Sequence, residues 1–123
     1  MLYAILCYND EAAVGAWTPE EDAACMARVG VVQDDLARQG RLGPVARLLP
    51  TTSAVTLRTG REELVLDGPF AETKEQLLGF FVIECATLDE AVDTARELAR
   101  THPGSSTYEL RPVAYFRPGG TAA

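Results

Sequence analysis

The hydrophobic positions of this chain fall into strand-like and helix-like stretches that alternate along its length. Leu2 to Tyr8, LYAILCY, is a short apolar run with aromatic flanks and predicts a strand buried on both faces. The small and polar residues NDEAAVGAW then break the pattern and predict a loop. Helix-start signals coincide at TPEE, where Thr18 can cap, Pro19 suits the first helical position and Glu21 can close a capping box. Beyond them Cys25, Val29, Val32 and Leu36 recur at steps of four, three and four, which is one apolar stripe of a helix. Gly30 weakens that helix by about 1 kcal/mol relative to Ala, which predicts close approach to a neighbouring element. Gly40 is placed to terminate it in the left-handed conformation.

Further along, RLGPVARLLP reads as an extended segment that Pro44 confines to an irregular or edge strand. AVTLR and ELVLDG, joined by a Gly-containing turn, predict a hairpin. Leu77 to Ala86, LLGFFVIECA, is the most hydrophobic run and predicts a central strand. Thr87 and Glu90 repeat the capping-box spacing, and Leu88, Ala91, Ala95 and Leu98 form the stripe of a second helix ending near Arg100. HPGSS is a turn cluster, TYELRPVAYF is a last strand limited by Pro112, and the tail RPGGTAA is expected to be loose.

This order predicts one domain over residues 1–116 with a tail at 117–123. Its class is α+β: a ferredoxin-like plait in which two helices cover one face of an antiparallel sheet. The other face is left bare, and back-to-back pairing of two sheets into a homodimer would cover it.

Composition narrows the function classes. Length, 123 residues, suits a single core. Eleven Lys and Arg against 18 Asp and Glu leave a net charge of -7, so this acidic protein repels phosphate backbones, and nucleic acid is not an expected partner. The first residues have no basic segment ahead of the apolar run and no stretch approaches a bilayer span, which predicts a cytoplasmic protein without membrane association. Cys7, Cys25 and Cys85 are dispersed and suit reduced core thiols. With one His in the chain they offer no metal-ligand spacing, and neither metal nor cofactor is expected.

The chemistry-bearing stretch is LDGPFAETKEQLLGFF, Leu66 to Phe81. Pro69 fixes its own φ and biases Gly68 away from helical angles, while Asp67 can bond neighbouring amides in an Asx turn. Phe70 is then free to anchor in the core. Thr73 and Gln76 have capping-box spacing, which predicts a single helical turn over ETKEQ.

DGPFAETKEQLLGFFVIE, with LYAILCYNDE before it and YELRPV after the second helix, closely resembles the DGPF family, also called the YCII-related domain, over about Leu2 to Val113. The resemblance implies a ferredoxin-like protomer paired through its sheet into a dimeric α/β barrel. Asp67, Gly68, Pro69, Phe70, Glu72, Thr73 and Lys74 match the family motif, and Glu109, Arg111 and Pro112 its terminal pattern; the stretch is expected to wall a ligand cleft, with Asp67, Gly68, Pro69, Phe70, Glu72 and Lys74 as its binding residues. Some YCII-like relatives use a His–Asp acid–base pair, and DGPF proteins are often encoded beside extracytoplasmic-function sigma factors or fused to them. The chain departs from its relatives in having no His on the first helix, and in having Ala46 and Leu49 where polar residues are frequent.

Two function classes follow. In the first, a binding or regulatory module holds a small ligand in a cleft of the dimer and signals to a sigma factor. In the second, an enzyme of the acid–base lyase, isomerase or dehydrochlorinase type uses Asp67 with Arg111 or His102. The missing helix histidine favours the first. Each residue also has a plainer role: Asp67 in an Asx turn, Arg111 in an ion pair with Glu109 or Asp67, His102 idle in an exposed loop, and Trp17 as a hydrophobic staple rather than a pocket cover.

Overall fold

The computed structural model describes residues 1–120. Its elements are β1 (Leu2–Asp10), α1 (Glu11–Gly15), α2 (Pro19–Arg38), β2 (Leu42–Arg47), β3 (Val55–Arg58), β4 (Leu64–Asp67), β5 (Glu75–Glu84), α3 (Leu88–Ala99) and β6 (Thr107–Pro112). Four strands form an antiparallel sheet in the order β2-β5-β1-β6, and β3 pairs with β4 in a separate two-stranded sheet. Without that hairpin and the short α1 the connectivity is βαββαβ, so the fold is α+β and consistent with a ferredoxin-like plait. The strongly apolar β5 lies between β1 and β2, as its composition predicts.

One core cluster joins Ile5, Phe81 and Ile83 of the sheet to Cys25, Val29 and Leu36 of α2 and to Ala91, Ala95 and Leu98 of α3, so both long helices share a face of the sheet. Local chemistry explains their limits. Thr18 Oγ1 accepts from the Glu21 amide at 3.1 Å, and Glu21 Oε1 accepts from the Thr18 amide at 3.0 Å, closing the expected capping box. Thr87 Oγ1 likewise accepts from the Glu90 amide at the start of α3. Past α2, Gly40 takes φ +69°. Arg41 then ties the start of β2 to α3, donating to Thr94 Oγ1 at 2.9 Å and pairing with Glu90 at 2.9 Å.

Several expectations are corrected. The stretch after β1 is helical, because Asp10 caps α1 by accepting from the Ala12 amide at 2.9 Å. Gly30 has nothing within 4 Å of the place a Cβ would take, so no element crowds it. ETKEQ forms no helical turn. Thr73 Oγ1 donates to the Glu75 carbonyl and Gln76 Nε2 to the Ala71 carbonyl at 3.0 Å, side-chain bonds that stabilise an extended lead into β5. The last strand ends at Pro112, short of the expected Phe116; of the tail at 117–123, residues 117–120 belong to no helix or strand and 121–123 lie outside the described residues.

Alternation puts Ala4, Leu6, Phe80 and Ala46 on the sheet face opposite the helices, together with Glu109 and Arg111 of β6. The hairpin is more open still: Val55, Leu57, Leu64, Val65 and Leu66 are all at least 44 % exposed.

Candidate functional site

The Asp-Gly-Pro bend closes the hairpin. Gly68 adopts φ +98°, a conformation that disfavours any side chain, and its amide donates to the Ala54 carbonyl at 2.7 Å. Thr56 Oγ1 donates to the Gly68 carbonyl at 2.8 Å, and Arg58 Nη2 reaches the Phe70 carbonyl at 3.4 Å. The bend is therefore held by backbone and by β3 side chains. Asp67, exposed at the end of β4, accepts no side-chain hydrogen bond among the described residues, so the Asx turn is not its role. Glu72 curls over the bend, its Oε1 4.0 Å from where a Cβ on Gly68 would stand.

Phe70 does not enter the core. It is 78 % exposed and forms one lip of an open cleft of about 670 Å³, whose other walls include Tyr8, Thr73, Lys74 and Gln76. Lys74 makes no ion pair among the described residues. Of the residues expected to bind a ligand, Phe70 and Lys74 line this cleft, while Asp67, Gly68, Pro69 and Glu72 build the bend beside it.

The proposed acid–base residues are dispersed. Arg111 is exposed on β6 opposite Ala4, and its expected ion pair is absent among the described residues. Glu109 sits two residues along the same extended strand, about 7 Å away by strand geometry, and Asp67 belongs to the other sheet. His102 is half-buried rather than exposed. Its Nδ1 lies 3.1 Å from both the Tyr108 hydroxyl and Thr101 Oγ1, and burial holds its pKa below the ordinary 6.5. No two of Asp67, His102 and Arg111 share a hydrogen bond or the lining of one described hollow.

A second, more enclosed pocket of about 90 Å³ lies between α2 and the sheet. Trp17 and His102 line it, their ring centroids 5.9 Å apart. Trp17 covers this pocket instead of stapling the helix, because the fourth helical residue is Asp22, which offers no apolar partner. Arg47 stands at its edge, held to Asp22 by hydrogen bonds of 2.8 and 3.3 Å. That contact lowers the Asp22 pKa and raises that of Arg47. Arg47 is a functional residue that the sequence does not single out; its place on the face of β2 that looks toward α2 is the available signal.

Among the described residues no three His, Cys, Asp or Glu side chains gather as metal ligands, and no helix is long and apolar enough to cross a membrane. Burial pushes the Cys7 thiol up to about 12, so that thiol is protonated and inert.

The family model for the YCII-related domain matches residues 1–117. The chain belongs to the YCII-related domain family. This YCII-related protein is also 57 % identical, over 120 residues and 97 % of each chain, to an uncharacterized protein of Rhizobium meliloti (strain 1021).

Proposed function

We propose that this YCII-related protein is a homodimeric small-ligand-binding module, with its ligand seated in the cleft below the Asp-Gly-Pro bend. The observation that carries the reading is Phe70, an aromatic ring held 78 % exposed at the lip of a hollow by a preorganised bend. Tyr8 supplies a second ring, Gln76 an amide, and Lys74 a cation with no ion pair among the described residues, in a chain of net charge -7; the one carboxylate on the lining, Glu75, accepts from Thr107 Oγ1 at 3.1 Å. That set suits a small aromatic carboxylate, stacked on Phe70 and Tyr8 and charge-paired with Lys74.

The hairpin supports the dimer. An isolated two-stranded sheet with exposed apolar residues is marginal in water, and a second copy is the cover that the bare sheet face and hairpin together call for. Acid–base catalysis is the weaker alternative, since Asp67, Arg111 and His102 occupy different parts of one protomer. A regulatory output to a sigma factor rests on the family resemblance, and co-purification with a sigma factor tests it.

The ligand reading is tested by titrating benzoate into the full chain while following the Tyr8 and Phe70 ring resonances. Saturable shifts that vanish in Lys74→Ala support it. Absence of saturation across a series of aromatic carboxylates rejects it.

A further inference from the structure

The pocket under α2 has an origin in the register of the sheet. On the helix-covered face, side chains stand in rows across the strands: Val45, Phe81, Ile5 and Leu110 in one row, and Arg47, Gly79, Cys7 and Tyr108 in the next. The first row is large throughout. In the second, the two central positions are small, a glycine and a cysteine, and Cys25 faces them from α2. The hollow therefore exists because large side chains are missing from the middle of a row whose ends are filled.

Gly79 cannot be exchanged for a larger residue in place. A Cβ there would stand 2.4 Å from the Ala46 carbonyl oxygen and 3.2 Å from the Arg47 Cα, both backbone atoms. Close approach of β2 to β5 and the hollow beside it have the same cause.

Beside Gln33, the lining has two polar side chains, those of Arg47 and His102, and both are held from outside it. Arg47 is occupied by Asp22. The loop carrying His102 is pinned to α2 by Arg28 Nε, which donates to the Thr101 carbonyl at 2.9 Å. Around His102 Nδ1, the Leu98 carbonyl at 3.3 Å can only accept. Thr101 Oγ1 spends its own proton on that same carbonyl, so it too accepts. In the tautomer that donates Nδ1–H to the Leu98 carbonyl, the Tyr108 hydroxyl 3.1 Å away also acts as an acceptor, and Nε2 is left as an acceptor with no partner among the described residues. Its low basicity, a result of burial, keeps the ring neutral at pH 7.

From this arrangement we infer a second binding site in each protomer, for small neutral ring-sized molecules that carry one hydrogen-bond donor. The apolar body packs among Val29, Phe81 and Trp17, and the donor is accepted by His102 Nε2. Size sets the class. An engineered cavity of about 150 Å³ takes up benzene, and this one, at about 90 Å³, suits a ring of about five atoms. A charged ligand is disfavoured, because the only cation on the lining already has its carboxylate. Met26, 43 % exposed and on the lining, is the movable residue at the mouth. No residue is shared with the cleft beside Phe70, so the site stands apart from the proposed function.

Pyrrole and furan test the inference, being rings of equal size of which pyrrole alone has an N–H. In titrations of the full chain, pyrrole shifts the Val29 methyl and His102 ring resonances saturably, and furan binds at least tenfold more weakly. His102→Phe keeps a ring but removes the acceptor, and brings pyrrole down to the level of furan. Met26→Trp changes a partly exposed position, leaves the fold intact and blocks both probes. No saturation by pyrrole overturns the inference. So do equal affinities for the two rings, and shifts confined to Tyr8 and Phe70.

Discussion

The four-stranded sheet with its helices and the β3–β4 hairpin are built of similar residues and end in opposite states. In the first, Ile5, Ile83 and Leu98 are fully buried within one cluster, so the layer carries its own stability. In the second, five of the aliphatic side chains and Phe70 remain in solvent. The difference is in what faces them. Cys25, Val29 and Leu36 arrive on a helix of 20 residues with a complete capping box, whereas among the described residues no helix packs extensively on the hairpin. Apolar patterning alone sets which face of a strand seeks cover, and only topology decides whether the chain itself supplies it.

Breaking the first region has the largest effect. Ile83→Ala removes a side chain with no exposure from the centre of the core, and a loss of about 2–5 kcal/mol in denaturant-unfolding stability is expected. In the hairpin the same kind of change acts on association. Leu57→Ala, at an exposed hairpin position, leaves the protomer fold unchanged and weakens the dimer by about 1 kcal/mol, roughly a fivefold rise in its dissociation constant by sedimentation.

Signals that act within a few residues were legible in the sequence. Thr18 with Glu21, Gly40 after α2, and the steps from Cys25 to Leu36 all found their expected structure. What escaped depended on distant partners or on competing local bonds. Phe70 looked like a core residue, but its orientation is set by Arg58 and Thr56 on another strand. Thr73 and Gln76 have helix-cap spacing, yet both spend their side chains on loop and strand carbonyls. His102 looked idle because Trp17 and Tyr108, 85 residues before it and six after, surround it only once the chain has folded. Of the candidate site, the bend could be read in advance and the hollow under α2 could not, since it depends on the register that aligns Cys7 with Gly79.

Smaller effects sharpen the contrast from the helix side. His102 has a folded pKa below its ordinary 6.5, so the neutral ring stabilises the fold fully above that value. Stability then falls as the pH drops below 6.5 toward the lower folded value, and unfolding midpoints between pH 7 and pH 5 should show a decline that His102→Gln flattens. Smallest is Asp22→Asn. The pair with Arg47 is partly exposed, and its loss should cost about 0.5 kcal/mol. Because the Asp22 pKa is lowered in the fold, that contribution is present at neutral pH and disappears as the pH falls through the lowered value.

Sedimentation equilibrium at micromolar concentration tests most directly whether the hairpin and bare sheet face are covered by a second copy. A single species of twice the 13.3 kDa protomer mass is the result expected. A stable species at 13.3 kDa itself, unchanged by Leu57→Ala, would contradict the account.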